Sequence, residues 1–397
     1  MKKVILAYSG GLDTTCAVHW LAQQGYNVIC FMADIGQELN AAEAKQRALA
    51  AGAHKVYIRD LKEEFIQDFI LPALKANAMY EGKYLLTTAL GRPLIAKYLV
   101  DLAHQEKAKA VAHGCTGKGN DQVRFEVSVR ILDPDLEIIA PVRVWEFKSR
   151  DEEIDYAKRF NLAVDVTKKK PYSIDRNLWG VSIEGGILED LSVEPPESVY
   201  QITKSPSFYS GFARYLEIYF QNGIPKKIDG KSYKLLDLIQ ELNNLGGLYG
   251  VGRTDLIENR LIGIKSREVY EAPAATILYI AHKELESVVL DRLTSHFKEI
   301  VSLKYAELVY DGLWYSPLKE ALDEFVDSTQ KNVTGSIKVK LFKGNCSAVA
   351  RKSPYSLYKK EMATYGKGDE FDQKLARGFI EIWGMPYQYQ KLKIKNK

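Results

Sequence analysis

A short apolar run that ends in paired glycines most constrains how this chain can fold. Lys3–Tyr8 reads Lys-Val-Ile-Leu-Ala-Tyr and runs into Ser9-Gly10-Gly11. Apolar residues then recur at helical spacing: Leu12, Cys16, Val18, Leu21 and Ala22. The bounded run predicts a buried strand, and the period predicts a helix from Leu12 to about Gln24 that Gly25 stops. The same alternation continues. Val28–Met32 reads as a strand, Ala41–Ala51 as a helix closed by Gly52, and Lys55–Ile58 as a strand. A long helix follows from Pro93 to about Lys107, with Pro in its first turn. Ala108–His113 and Ile138–Ala140 complete the strands. Such alternation predicts a mostly parallel sheet with helices on both faces, in an α/β chain. These sheets bind ligands beyond the carboxyl ends of their strands. The loops after Tyr8, Met32 and His113 are therefore the places to look.

Beyond Lys168-Lys169-Lys170-Pro171, a candidate boundary, the pattern changes to short strands, turns and helices. Tyr215–Phe220 and the segment after Asn222-Gly223-Ile224-Pro225 predict a hairpin. Leu235–Leu245 predicts a helix stopped by Gly246-Gly247, and Ala274–Leu293 one long helix. Lys338–Phe342 and Ser347–Arg351, around Lys343-Gly344-Asn345, predict a second hairpin. A helix near Phe371–Ile382 and the Lys-rich tail Lys391–Lys397 close the chain. The expected division is a nucleotide-binding domain over 1–165, an α+β domain over 166–355 and a helical arm over 356–397. Phe379, Ile380, Ile382 and Trp383 in that arm call for a partner surface, which points to self-association.

Composition removes several function classes. With 55 Lys and Arg against 51 Asp and Glu, the excess of +4 is small for 397 residues and argues against a dedicated nucleic-acid binder. At 46% hydrophobic and 27% charged, the chain is not expected to be disordered. No run of about 18 apolar residues predicts a membrane span. The opening Lys2-Lys3 and short apolar run resemble a signal peptide only until Ser9-Gly10-Gly11 interrupts them. Cys16, Cys30, Cys115 and Cys346 are scattered without a C-x-x-C pair, so a reducing, cytoplasmic compartment is expected. His113, His282 and His296 lack metal-ligand spacing, and no protein metal site is expected.

The first turn, Ala7-Tyr8-Ser9-Gly10-Gly11-Leu12-Asp13-Thr14-Thr15, has the chemistry of a phosphate cradle. Two glycines let the backbone approach a ligand closely. The helix start presents unpaired N–H groups and a positive dipole end, and Ser9, Thr14 and Thr15 add hydroxyls. It lacks the spacing of a Walker A loop. A plain strand–helix turn with a capping Ser or Asp is the blander reading. The full Ser-Gly-Gly-x-Asp-Thr string resembles the signature of the N-type ATP pyrophosphatases, which cleave ATP between its α and β phosphates and adenylate a substrate oxygen.

A second loop, His113-Gly114-Cys115-Thr116-Gly117-Lys118-Gly119-Asn120-Asp121-Gln122-Val123-Arg124, also follows a strand. A helix starting near Asn120 would bring Asn120, Asp121 and Arg124 together. An amide, a carboxylate and a guanidinium suit a zwitterionic amino acid. A capped helix with a surface ion pair is the ordinary alternative.

With both loops in view, the chain resembles the argininosuccinate synthase family along nearly its whole length. Supporting strings are Asp34-Ile35-Gly36-Gln37, Tyr84-Leu85-Leu86, Ala89-Leu90-Gly91-Arg92-Pro93, Asn177-Leu178-Trp179-Gly180 and Glu189-Asp190. Gly250-Val251-Gly252-Arg253, Ile257-Glu258-Asn259-Arg260, Gly263-Ile264-Lys265-Ser266-Arg267 and Val269-Tyr270-Glu271-Ala272-Pro273 extend the match. The resemblance implies an adenine nucleotide alpha hydrolase-like first domain and a synthetase domain that binds citrulline and aspartate. It implies a ligase that joins citrulline and aspartate with ATP, through citrullyl-AMP, releasing AMP and pyrophosphate, in a cytoplasmic homotetramer. By the same likeness, Ala7 through Thr15, Ala33 and Gly114 hold ATP. Thr116, Asn120 and Asp121 hold aspartate, and Tyr84, Thr88, Asn120, Arg124, Ser173, Ser182, Glu258 and Tyr270 hold citrulline. Mg²⁺ would be held mainly by ATP oxygens and water. No covalent catalyst is implied, because ATP supplies activation and the substrates supply both nucleophiles. Some members carry serine where this chain has Ala89, which leaves Thr88 as the nearer hydroxyl.

Rival readings leave more unexplained. A glutamine-fed synthetase needs an ammonia-generating module, and a tRNA thiolase a cysteine pair and a basic RNA face. A non-enzymatic ATP sensor would use only the first loop. AMP release on mixing ATP, citrulline and aspartate separates these from the ligase.

Overall fold

The computed structural model describes every residue except 1, 39, 148, 165–171, 208–210 and 396–397, and of 392–395 only the backbone. The candidate boundary at Lys168–Pro171 and the side chains of the tail beyond Lys391 lie outside the described residues. Five parallel strands form the first sheet: β1 (Lys3–Ala7), β2 (Asn27–Asp34), β3 (Lys55–Asp60), β4 (Ala110–Ala112) and β5 (Glu137–Ile139). Period two sorts β1 between two cores. Val4 and Leu6 pack with Ala17, Val18 and Leu21 of the Leu12–Gln23 helix and with Ala44 and Ala48 of the Ala41–Ala50 helix. Ile5, with Ile29 and Phe31, packs on the other face with Leu94 and Leu99 of the Gly91–Glu106 helix. Burial on both faces is why these strands read as continuous apolar runs.

The sheet order is β3-β2-β1-β4-β5. The chain winds outward from β1 to β3, then crosses back to β4 on the other side of β1. A crevice opens where the order reverses, at the carboxyl ends of β1 and β4. The Ser9 turn follows one of these strands and the Gly114 loop follows the other.

Two antiparallel sheets come later. Their strands are β6 (Ser173–Asn177), β7 (Gly180–Glu184), β8 (Arg214–Gln221), β9 (Ile224–Ile228), β10 (Lys231–Ser232), β11 (Arg253–Asn259), β12 (Lys265–Glu271), β13 (Gly335–Phe342) and β14 (Asn345–Lys352). One sheet runs β11-β12-β7-β6 and the other β10-β9-β8-β13-β14. Both expected hairpins are present, with turns at Asn222-Gly223 and Lys343-Gly344. The loop after β2 docks the parallel sheet onto the first of these. Leu178 N–H donates to the Ile35 carbonyl at 2.8 Å, and a Cβ on Gly36 (φ +98) would lie 2.8 Å from Leu178 N. That contact gives the Asp34–Gln37 and Asn177–Gly180 strings a shared physical basis.

Three of the departures from expectation bear on packing. A helical stretch (Lys62–Phe65, Ile66–Ile70, Leu71–Lys75) buries Phe65, Ile66, Ile70 and Leu74 completely, and nothing in the sequence reading anticipates it. Gly246-Gly247 does not stop its helix, which spans Leu235–Leu248. A Cβ on Gly247 would sit 2.4 Å from the Ile202 carbonyl oxygen, so close packing rather than termination requires glycine there. Gly247→Ala should therefore destabilise the fold by about 1–3 kcal/mol, where an open helix position would gain from alanine. A rise in the urea midpoint would contradict this. Finally, the single helix expected over Ala274–Leu293 is two, Pro273–Val289 and Arg292–Tyr310. Leu290 is extended, and the Asp291 carboxylate accepts from Leu293 N–H (2.9 Å) and Thr294 N–H (3.1 Å), starting a new helix.

Met1–Tyr355 forms one compact unit and Ser356–Lys397 a second. The second holds the helix Lys374–Lys395, which begins later and runs further than expected and exposes Phe379, Ile380, Ile382 and Trp383. Among the described residues no helix is long and apolar enough to cross a membrane.

Candidate active site

At the carboxyl end of β1 the Ser9 turn folds on its own hydroxyls. Ser9 Oγ lies 3.0 Å from Thr14 Oγ1 and accepts from Gly11 N–H at 3.3 Å, and Tyr8 Oη lies 3.1 Å from Thr15 Oγ1. Gly10 adopts φ +81, a conformation that costs other residues strain. Its carbonyl accepts from Arg47 Nη1 at 2.8 Å. Gly11 is the N-cap and supplies no side chain, so the first-turn amides of Leu12, Asp13 and Thr14 remain for an anion. Behind the turn stands Glu153, which sequence reasoning did not single out. Burial first, and the neighbouring Asp13 second, push its carboxyl well above the usual carboxylate range. At the end of β2, Ala33 is buried and its carbonyl accepts from Gln37 Nε2 at 2.5 Å.

Across the crevice, Gly114 packs onto the Ser9 turn. A Cβ there would lie 2.9 Å from Thr14 Cγ2. His113 beneath it accepts from Cys115 N–H at 3.2 Å through Nδ1, leaving Nε2–H for Glu126 at 3.1 Å. Burial pushes the Cys115 thiol up. Thr116 is exposed. The helix Asp121–Leu132 then starts, capped by position Asn120.

The trio expected at that helix start is assembled, and each member already has partners within the chain. Asn120 Nδ2 donates to Tyr310 Oη (2.7 Å), and its Oδ1 accepts from Leu261 N–H (3.0 Å). Arg124 Nε donates to the Tyr310 carbonyl (2.9 Å) and Nη1 to Asp121 Oδ1 (2.8 Å). Arg92 donates to Asp121 Oδ2 (2.7 Å) and pairs with Asp175. Two guanidinium groups hold the Asp121 carboxyl well below the usual carboxylate range despite its burial. Asp175 goes the other way, because burial outweighs the single Arg92 it shares.

The sheet β11-β12-β7-β6 supplies the opposite wall. Cross-strand partners share a face. Register pairs Ser182 with Tyr270 and Asp175, and Ser173 with Glu184. Alternate residues Val181, Ile183 and Val269 form an apolar cluster on the other face. The polar face thus carries Ser173, Ser182, Glu184, Glu268 and Tyr270. Tyr84 is buried and stacks on Tyr270 with ring centroids 4.2 Å apart. Its hydroxyl lies 2.6 Å from Thr88 Oγ1 and accepts from Thr88 N–H (3.1 Å) and Ala89 N–H (3.2 Å). Ala89 is wholly buried, and it meets this hydroxyl through its backbone N–H. Glu258 is 1% exposed and reaches Tyr310 and Tyr270. Ser173 is exposed and joins the site only through its register opposite Glu184.

Sequence reasoning also missed Arg92, Asp175, Glu268, Arg260 and Tyr310. Arg260 Nη2 donates to Glu268 Oε1 (2.8 Å) and pairs with Glu184. Gly312 (φ +77) lets the Tyr310 turn lie on the start of the Asp121 helix, where a Cβ would meet Arg124 Cα at 2.6 Å. Arg92 and Arg260 fall inside matched strings, which was the one signal available for them.

Residues 3–163 match the arginosuccinate synthase N-terminal HUP domain and residues 172–390 the arginosuccinate synthase C-terminal domain. The chain is similar to the argininosuccinate synthase of Caldanaerobacter subterraneus subsp. tengcongensis, 56% identical over 98% of this chain and 96% of that protein. The same enzyme from Desulfitobacterium hafniense is 55% identical over 99% and 98%. That from Bacillus pumilus is 57% identical over 97% and 95%. With both halves matched and relatives this similar from end to end, the chain belongs to the argininosuccinate synthase family.

Proposed function

We propose that this chain condenses L-citrulline and L-aspartate to argininosuccinate, converting ATP to AMP and pyrophosphate through citrullyl-AMP. The observation that carries the reading is the meeting of two loops at the sheet's switch point: Gly114 packs on Thr14, and the Asn120–Arg124 helix start follows directly. The uncapped amides after Gly11, with Ala7 through Thr15, cradle the phosphates, while Ala33 and Gly114 flank the nucleotide. The ureido oxygen of citrulline attacks the α-phosphorus, and pyrophosphate leaves. The aspartate amine then attacks the activated carbon, and AMP leaves. Tyr84, Thr88, Arg124, Ser173, Ser182, Glu258 and Tyr270 orient citrulline, Thr116 and Asp121 orient aspartate, and Asn120 lies between them. No side chain need form a covalent bond; positioning and charge supply the rate.

Mg²⁺ would neutralise phosphate charge when bound. Among the described residues no three His, Cys, Asp or Glu side chains converge on one point. Asp13 is the carboxylate within the turn, and burial disfavours charge on Glu153 behind it, so phosphate oxygens and water would hold most of the ion, with Asp13 alongside. The three-part division at 165/166 and 355/356, assembly as a homotetramer through the apolar helix, and a cytoplasmic location belong to the same reading.

Formation of argininosuccinate from the three purified substrates tests the function; AMP without that product would refute it. The roles separate by substitution. Asp121→Asn should raise the aspartate requirement far more than it slows citrulline-dependent pyrophosphate formation. Arg124→Lys, which keeps charge but loses the forked geometry, should raise the citrulline KM about 10- to 150-fold, the worth of one charge-assisted hydrogen bond. Equal loss of both half-reactions in Asp121→Asn would contradict its assignment.

A further inference from the structure

The floor of the citrulline wall carries an excess of acceptors over protons. Tyr270 Oη lies 2.7 Å from Glu268 Oε2 and 3.2 Å from Glu258 Oε1, and a phenol has one proton to donate. The second phenol does not help. Asn120 presents its NH₂ to Tyr310, because Asn120 Oδ1 is committed to Leu261 N–H. Tyr310 therefore donates its own proton to Glu258 Oε2 at 2.8 Å. Among the described residues no Lys or Arg forms an ion pair with Glu258, and Arg124 reaches it only through space. Arg260 serves Glu268 and Glu184, and Arg124 serves Asp121 and the Tyr310 carbonyl. If both Glu258 and Glu268 were ionised, one Tyr270 contact would set lone pair against lone pair in a buried site. One proton on Glu258 Oε1 satisfies everything: Glu258 donates to Tyr270, and Tyr270 donates to Glu268.

We propose that Glu258 holds a proton in the substrate-free site and releases it when the α-ammonium of citrulline arrives, so that substrate binding is a proton-for-ammonium exchange. This rests on the reading of Glu258 as a citrulline ligand. The balance is one carboxylic acid plus one ammonium giving one carboxylate–ammonium pair and one proton lost to buffer. The groups facing Glu258 agree with it. Glu268 and Tyr270 come from β12, Tyr310 from the Arg292–Tyr310 helix, and Arg124 from the Asp121–Leu132 helix; Tyr80 and Tyr84 complete the surround. Burial first, and Glu268 second, push the Glu258 carboxyl up to about 9. The exchange keeps a bare buried carboxylate from forming before its partner is present. It also lets the pocket discriminate against amino acids whose α-nitrogen carries no charge.

The test is calorimetric titration of the full chain with citrulline in the presence of α,β-methylene-ATP, in phosphate and in Tris. We expect about one proton released per citrulline at neutral pH, and a citrulline Kd that tightens about tenfold per pH unit between pH 6.5 and 7.5. Glu268→Gln removes the competing charge and should reduce the protons released per citrulline bound and flatten that slope, whatever its effect on the affinity itself. Infrared difference spectra of the substrate-free protein should show a protonated-carboxyl band that Glu258→Gln removes. Binding with no proton release, a flat Kd, or no such band would overturn the proposal. Glu258→Gln separates the underlying reading: citrulline affinity unchanged in it would overturn both, whereas weakened affinity in the variant together with no proton release from the unsubstituted chain would overturn the exchange alone.

Discussion

Gly114→Val is expected to lower citrulline-dependent pyrophosphate formation by about a hundredfold while leaving the chain folded. The first added carbon would lie 2.9 Å from Thr14 Cγ2 and 3.6 Å from Thr14 N, and valine adds two methyls beyond it. Either the Gly114 loop or the Ser9 turn must retreat. Both belong to the nucleotide site proposed above, and Ser9, Gly11 and Gly114 themselves are not buried. A displacement near 1 Å in a site that works by positioning costs about 10²-fold in rate. Overpacking itself should cost only about 1–3 kcal/mol of stability. Steady-state pyrophosphate release together with a urea melt reads both quantities. A variant that loses stability but keeps its rate would show that the two loops do not act on one nucleotide.

Arg92→Met should cost about 1.5–3 kcal/mol of folding free energy, because it removes one cation from two partly buried carboxylates. Arg124 still holds Asp121, but Asp175 is left without a cation where burial already raises it. The pH dependence identifies the cause. Asp121 has a depressed pKa in the fold, so its contribution is present above the ordinary carboxylate pKa, about 3.9, and is lost as pH falls through the folded value. In the variant both carboxyls bind protons at higher pH. The gap between variant and wild type should thus be full near pH 7.5 and narrow toward pH 4.5. A gap that stays constant across that range would make the loss one of packing alone.

The parts of this fold that sequence revealed are those built from local signals. β1, β2 and β4 are apolar runs cut by glycine or a turn, and burial on both faces erases the alternation that would otherwise blur them. Gly10, Gly11 and the hydroxyls of the Ser9 turn lie within one short string. The parts it hid are set by distant partners. Tyr310 joins Asn120 across 190 residues, Arg92 meets Asp175 across 83, and no spacing rule links them. Gly246-Gly247 misled because a stop signal and a close-packing requirement use the same residue. The Ala274–Leu293 helix misled because apolar periodicity continues through Asp291, whose capping role appears only with its φ and ψ. The trio Asn120, Asp121 and Arg124 was legible as a group, but its internal pairing was not.

The most direct measurement is a crystal structure grown with α,β-methylene-ATP and citrulline. The account predicts the triphosphate on the amides after Gly11, with its α-phosphorus facing the ureido oxygen of a citrulline that touches Arg124 and Glu258. A nucleotide bound away from the Ser9 turn, or a citrulline with its ureido group turned from that phosphorus, would contradict it.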